Sequence, residues 1–443
     1  MSTPADISTA ATTTGRFDAI IVGGGPAGLS AACTLADGGA RVVVIERGDW
    51  PGSKNMMGGL IFSQPTSQVA PEFWKKAPLE RHITRREMWL ATGESVLKAG
   101  YESTDFGAEP YNSFSVFRSR FDKWLAGEAR AKGAIIITET LVEDLLMEGD
   151  RVVGVRTGRP EGDLEADVVI LCEGVNPFLA EKAGLSKGVK PESVALAVKE
   201  VLALPKEKLE DRFSLDEGNG AAYEVVGEIT AGIPGTGFIY TNRDTVSIGV
   251  GVILKDMVDQ AGEAYALLER FKKQPQVQRL IQGASPREYA AHLIPEGGYH
   301  GMPKLHGNGV LVAGDAAGMV NAVFTEGANL ALLSGKMAAE TVLRARDCGS
   351  FDAITLSHYR DQLEQSIIMK DLKSFQNVTP FLSSHPHFFT MYPELASAAV
   401  KELLTVDSLS KADKLHLIIK LVRSQRPARK LMKDLYDSWR TFS

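Results

Sequence analysis

Short apolar runs closed by glycine alternate with helical patterns through the first part of the chain. "FDAIIV" ends on Gly23-x-Gly25-x-x-Gly28, the stretch from Ser30 to Asp37 has helical spacing, and "RVVVIE" is a second apolar run. Apolar runs this short, bounded by turn residues, predict buried parallel strands, so residues 17–46 form a β-α-β unit. "SFSVF" leads into a helix that turns Phe121, Trp124 and Leu125 inward, and "ADVVIL" and "GVLVAG" are two further apolar strands. The pattern changes in "AYEVVGEITAGIPGTGFIYTNRDTVSIGVGVI", where apolar and polar residues alternate and break at Gly and Pro. That predicts antiparallel strands joined by hairpins. The expected fold is α/β: a Rossmann-like domain assembled from the discontinuous segments 16–60, 112–180 and 300–346. Residues 61–111 and 181–299 form an inserted antiparallel or mixed-sheet lobe of α+β character, and 347–443 a helical C-terminal segment. Residues 1–15, rich in Ser, Thr and Ala with no basic residue before Arg16, are neither a signal nor a transit peptide and read as a disordered tail.

The glycine pattern has a chemical reading. Glycines at this spacing allow a tight turn and let backbone approach a pyrophosphate at the N-terminus of the following helix. Gly23, Gly25, Ala27 and Gly28 supply that turn, and Glu46 ends the second strand where a carboxylate accepts from ribose hydroxyls, with Arg47 next to it. Strand, glycine turn, helix and distant acid together predict dinucleotide binding, either NAD or FAD.

"GVLVAGDAAG" decides between them. A second buried strand here ends in Gly314-Asp315. FAD is long, and its ribityl–phosphate middle needs a second contact. A carboxylate repels a pyrophosphate but accepts hydrogen bonds from ribityl hydroxyls, while backbone N–H groups near Ala316 meet phosphate. The competing reading of Asp315 is a cap at a strand–helix turn. The helix that starts near Gly327 and Ala328 points its positive end at the flavin pyrimidine, worth about 0.3–1 kcal/mol, or tens of millivolts of redox tuning. Arg118 is placed for a phosphate or adenine contact, or is a solvated arginine. Glu173-Gly174 either brings backbone across the adenosine side or is a plain strand–turn.

Composition narrows the partners. Lys plus Arg number 49 against 55 Asp plus Glu, a net charge of −6, which argues against nucleic acid as a partner. The 3 cysteines (Cys33, Cys172 and Cys348) are scattered without C-x-x-C, too few for an iron–sulfur cluster on this chain, and fit a reducing, cytoplasmic compartment. No metal site and no catalytic triad is apparent. His385 and His387 flank Pro386 and read as a turn. Tyr299 and His300 are the candidates for a proton source.

Several stretches resemble one family. "IIVGGGPAGLSAACTLADGGARVVVIERG" and "NAVFTEGANLALLSGKMAAE" are shared with many flavoproteins, including geranylgeranyl reductases and aromatic hydroxylases. "WPGSKNMMGG" and "LIPEGGY…MPKL" are more specific, "LIPEGGYHGMPKLHGNGVLVAGDAAG" adds to them, and the chain resembles the electron-transfer-flavoprotein:quinone oxidoreductase family, in particular its FixC branch. The resemblance implies FAD, electrons received from an electron-transfer flavoprotein and passed to quinone, and a place in a multi-subunit, bifurcation-associated complex. The partners would be the alpha and beta subunits of that flavoprotein and a small ferredoxin-like [4Fe–4S] subunit. Carried onto this chain, Gly23, Gly25, Gly28 and Glu46 hold the ADP half, Arg118 assists, Asp315 takes the middle, and Gly58, Gly59, Gly327 and Ala328 approach the isoalloxazine. A glycine pair fits that last role because backbone reaches a flavin face only where no side chain intervenes. Two rivals share the motifs: an FAD-dependent prenyl reductase, and a scaffold subunit whose flavin is structural.

The segment 401–443 is basic, with Lys411, Lys414, Lys420, Arg423, Arg426, Arg429, Lys430 and Lys433, and "KLHLIIKLV" adds an apolar face. Three readings stand: a peripheral anchor on the anionic inner face of the cell membrane, an ordinary packed terminal helix, or a docking site for the ferredoxin-like subunit.

Overall fold

The computed structural model describes residues 15–54 and 58–442. All but the last residue of the tail read over 1–15, and Asn55 to Met57 of "WPGSKNMMGG", lie outside the described residues.

Two sheets organise the chain. The first has parallel strands in the spatial order Val310–Val312, Asp163–Leu171, Phe17–Val22, Val42–Ile45 and Ile135–Ile137. An antiparallel pair, Val142–Glu148 and Arg151–Thr157, extends from Asp163–Leu171. The parallel strands are mainly apolar where both faces are covered, and Ile20, Ile21, Val43, Val44 and Val169 are fully buried. The first helix runs Pro26–Asp37, starting earlier than Ser30 because Pro26 sits at its first position, where the missing N–H costs nothing. It packs against the helix Ala328–Cys348 closely enough that a Cβ on Gly335 would stand 2.0 Å from Ala27 O. The 2.6 Å bond from Ser30 Oγ to Leu332 O crosses the same seam.

The second sheet is mixed. Ser285–Pro295, Val194–Ala203, Thr245–Ile253, Gly235–Thr241 and Asn219–Gly227 run antiparallel in that order, as the alternating pattern predicts. Asn219–Gly227 then pairs in parallel with the long strand Leu79–Thr92. Gly58–Phe62 and Ser113–Phe117 pair with each other at the far side of Leu79–Thr92 rather than in the parallel sheet. Ser113–Phe117 runs directly into the helix Arg118–Ala131, in which Phe121 and Leu125 are fully buried and Trp124 packs against the core.

Beyond the helix Ala328–Cys348 the chain is helical, ending in Met391–Leu404, Lys411–Gln425 and Ala428–Phe442. Two of the basic residues here are internal ties. Lys414 is buried and bonds Asp407 Oδ2 at 2.8 Å, and Arg426 grips Asp434 at 2.6 and 2.7 Å. The last helix is not an ordinary packed one: Met432, Leu435, Tyr436, Trp439 and Phe442 are all exposed, Trp439 to 66%. No helix among the described residues is long and apolar enough to cross a membrane.

Candidate flavin site

A cavity of about 970 Å³ is lined by residues from both sheets and from the C-terminal segment. That lies near the upper end of small-molecule site volumes. Gly23, Gly25, Ala27, Glu46, Arg47, Gly59, Arg118, Gly174, Asp315, Gly327 and Ala328 all line it. Gly58 opens the strand that carries Gly59. Gly28 does not line it.

The fingerprint glycines divide their work. Gly23 has φ +105°, and a Cβ there would sit 2.2 Å from Cys172 O, so only glycine fits between the two strands. A Cβ on Gly28 would stand 2.0 Å from Gly23 O, so Gly28 serves the helix–strand packing rather than a ligand. A Cβ on Gly25 would meet nothing within 4 Å. It would point into open cavity, which is the cradle a phosphate group needs. Gly25 also caps the helix without a side-chain bond, leaving the first-turn N–H groups free for an anion. Glu46 holds this loop from behind: Oε2 accepts from Gly24 N at 2.8 Å and Oε1 from Gly48 N at 2.6 Å.

Asp315 lies in the short turn Gly314–Ala317 that follows Val310–Val312. No hydrogen bond from its carboxyl to another described residue is present, so it is not a cap. Burial pushes this carboxyl up, and Arg118 and His292 pull it back down. Arg118 is clamped at 2.8 Å by both oxygens of the buried Asp122. Burial works against its charge, but Asp122 and then Asp315 more than offset this. His292 is pushed down by burial and only partly restored by Asp315. The result is a carboxyl with unused acceptor capacity beside a neutral imidazole and a fixed guanidinium, a setting that receives hydroxyl donors.

The helix Ala328–Cys348, 21 residues long, begins at Gly327 with no side-chain cap, so its positive end opens on the cavity. Gly174, at φ +77°, has no atom within 4 Å of a Cβ position and leaves another open stretch of backbone. Its neighbour Glu173 is occupied: it accepts from Leu179 N at 2.8 Å and Ala180 N at 3.1 Å.

Sequence reading missed part of the lining. His292, Ile294 and Glu296 follow one another on the same side of the strand Ser285–Pro295 and its end, and all reach the cavity. Strand alternation was the available signal. Tyr299 and His300, the expected proton source, are not in the lining. Tyr299 packs against the core with Lys373 5.4 Å above its ring, and His300 is exposed. Phe238 and Tyr240, stacked at 5.0 Å, cover another part of the cavity. Val378, Leu382 and Phe389 bring in the C-terminal segment. Among the described residues no group of His, Cys, Asp and Glu could hold a metal ion. Cys33 and Cys172 are buried with thiols that burial pushes up, Cys33 to about 12, and Cys348 is exposed.

An open phosphate cradle, a carboxyl that makes no hydrogen bond among the described residues and a second uncapped helix start on one cavity fit FAD. Comparison with known proteins agrees. An FAD binding domain matches residues 16–212 and the ETF-QO/FixC family C-terminal domain matches residues 378–443. Protein FixC of Bradyrhizobium diazoefficiens is 42% identical, covering 96% of this chain and 99% of that one. Protein FixC of Escherichia coli K12 is 43% identical over 88% of this chain and 91% of its own length. Among solved structures, a geranylgeranyl bacteriochlorophyll reductase-like protein from Thermoplasma acidophilum superposes with TM-score 0.72 at 18% identity, covering 95% of this chain and 99% of that chain. The myxobacterial chondrochloren halogenase CndH superposes with TM-score 0.63 at 20% identity, covering 90% and 86%. These two share the fold. With FixC relatives aligned along nearly its whole length and its fingerprint inside an FAD binding domain, the chain belongs to the ETF-QO/FixC family and is an FAD-dependent oxidoreductase.

Proposed function

We propose that this chain takes electrons from an electron-transfer flavoprotein onto FAD and passes them to a quinone, as one subunit of a complex that also holds both electron-transfer-flavoprotein subunits and a small ferredoxin-like [4Fe–4S] protein. The observation that carries this reading is the continuity of the cavity. It runs from the fingerprint loop to Val378, Leu382 and Phe389, inside the segment matched by the ETF-QO/FixC C-terminal domain. FAD supplies two-electron redox chemistry when bound. The apolar lining beyond it suits a quinone ring, which needs little more than access to the flavin and a proton supply.

The chain's own residues divide the cofactor between them. Gly25 and the first-turn N–H groups receive the pyrophosphate, and Glu46 fixes that loop and offers its free lone pairs to ribose. Asp315 accepts from the ribityl hydroxyls. Gly59, Gly327 and Ala328 leave room for the ring, and the helix start at Gly327 favours the negative charge gained on reduction. The exposed apolar row on the last helix, flanked by Arg429, Lys430 and Lys433, suits a peripheral seat on an anionic membrane, where the quinone resides.

The test is anaerobic. Purified protein should carry FAD, and after chemical reduction a soluble quinone analogue should reoxidise it in a single turnover while a prenyl substrate leaves it reduced. Protein that holds no flavin, or reduced flavin that quinone leaves untouched, overturns the reading. Affinity purification with mass spectrometry checks the subunits: a chain that purifies alone and is fully active on quinone removes the complex from it.

A further inference from the structure

We propose that Glu296 is the proton donor to the acceptor reduced in this cavity, a role that deepens the quinone reading above and rests on it. Glu296 sits where a strand meets the cavity. Pro295 is paired with Val194, and one residue further Glu296 N donates to Ser193 O at 2.8 Å, so the backbone is still fixed to the sheet. His292, Ile294 and Glu296 all line the cavity. Register sets what lies beside them. His292 is paired with Ala197, which is paired with Gly251, and Ile294 with Ala195, which is paired with Ile253; all of these line the cavity too. A Cβ on Gly251 would meet only Ala197 within 4 Å, at 3.7 Å. Ala195, Ala197 and Gly251 thus make a low floor on which a planar ring can lie, and Glu296 follows Ile294 at its edge.

The other acids of the lining are committed elsewhere. Glu46 accepts from Gly24 N and Gly48 N, and Glu173 from Leu179 N and Ala180 N. Glu224 is paired with Arg86 at 2.9 Å, Glu326 accepts from Asn329 Nδ2 at 2.7 Å, and Glu143 is exposed. Asp315 has Arg118 and His292 to favour its charge. Glu296 has neither kind of partner. Its carboxyl accepts no hydrogen bond from a described residue. No charged group among the described residues is near enough to shift it either, whether His292 on its own strand, Glu192 next to Ser193, or Arg118 and Asp315 in the cavity wall. Burial is what acts on it, pushing it up to about 8, so it keeps its proton at neutral pH. A neutral carboxyl in a cavity wall is suited to general acid work.

The chemistry needs such a group. A quinone becomes a quinol by gaining two electrons and two protons, one O–H bond at each carbonyl oxygen. The helix start at Gly327 favours a reduced flavin that carries negative charge. Flavin in that form supplies the electron pair with a single hydrogen, enough for one O–H bond. The second oxygen takes its proton from Glu296, whose own O–H bond breaks and leaves a carboxylate. Charge is disfavoured in that wall, so the carboxylate takes a proton back from water and the donor is restored.

The test uses holoprotein reduced anaerobically and mixed either with a soluble quinone analogue or with ferricenium, each ion of which takes one electron and no proton. Flavin absorbance gives both rates, and their ratio isolates the proton. Glu296→Gln keeps the shape and removes the acidic proton, and should lower the quinone-to-ferricenium ratio at least tenfold. In wild-type protein the ratio should decline as pH rises through about 8, where the carboxyl ionises, and in Glu296→Gln it should stay flat. Infrared spectra of the apoprotein give a readout without turnover: a protonated-carboxyl stretch present near neutral pH and missing from Glu296→Gln. An unchanged ratio in Glu296→Gln, a wild-type ratio that ignores pH over that range, or apoprotein spectra with no such difference overturns the donor. Wild-type protein that quinone leaves reduced overturns the acceptor reading and the donor with it, whereas wild type and Glu296→Gln reoxidised by quinone at the same ratio overturn the donor alone.

Discussion

Ser30 Oγ donates a 2.6 Å hydrogen bond to Leu332 O, joining two helices that are 302 residues apart in the chain. Both helices open at the cavity, one from Gly25 and one from Gly327, so their seam sets the distance between those two helix starts. Gly335→Ala tests it. Alanine gains about 1 kcal/mol of helix propensity over glycine. Its Cβ, however, would stand 2.0 Å from Ala27 O, which is backbone and cannot turn aside. Overpacking of this sort costs roughly 1–3 kcal/mol, so Gly335→Ala should melt lower and lose FAD faster on dilution, measured by scanning calorimetry and flavin fluorescence.

Two fingerprint glycines should fail in different ways. Gly25 has φ −84°, ordinary for any residue, and free space around its Cβ position. Gly25→Ala should fold as well as wild type and bind FAD at least tenfold more weakly, because the methyl occupies the cradle. Gly23→Ala combines φ +105° with a 2.2 Å clash against Cys172 O and should destabilise the protein even without cofactor. Melting curves of the apoproteins separate the two cases. Equal losses of stability would contradict the assignment of roles.

Glu296 predicts a pH dependence. Its carboxyl lines the cavity with no charged group among the described residues near enough to shift it, and burial pushes it up to about 8. In the unfolded chain the same group ionises near 4.3. From about pH 4 to 8 the unfolded chain gives up this proton and the folded protein keeps it, so the contribution is undiminished below 4 and declines as pH rises toward 8. Glu296→Gln cannot ionise. Its melting temperature should exceed that of wild type at pH 8 and converge with it near pH 4, followed on apoprotein. A constant difference across that range would show that Glu296 is ionised in the folded state.

The last helix should be separable from the flavin site. Leu435→Ser with Trp439→Ser removes exposed apolar surface and leaves the Asp434–Arg426 tie in place. Flavin content and melting temperature should stay near wild type, while co-sedimentation with anionic vesicles falls at least fivefold. Unchanged vesicle binding would point to protein rather than lipid as the occupant of this face.

Local patterns carried the fingerprint, Asp315 and the helix at Gly327 because each is a spacing within a few residues of itself. The same is true of Phe121 and Leu125, buried as helical spacing requires. What escaped depends on register between distant strands. Asn219–Gly227 pairs in parallel with Leu79–Thr92, far apart in sequence, and only that pairing puts Arg86, Glu224 and Tyr240 in one row. Glu296 sits one residue past the end of its strand at Pro295, where alternation no longer marks which way a side chain faces, and Tyr299 and His300 belong to the turn that follows. Gly28 belongs to the motif, yet a Cβ on it would meet Gly23 backbone and the Ile21 side chain, contacts that motif spacing does not display.

The seam between Ser30 and Leu332 also bears on biosynthesis. A ribosome has made the whole glycine turn long before it reaches the helix that completes the seat. A nascent chain halted before Asp315 would own the turn but neither the carboxyl nor the second helix start, and would emerge colourless. On the proposed seat, pigmentation should come late in translation, and a truncated product should stay unpigmented.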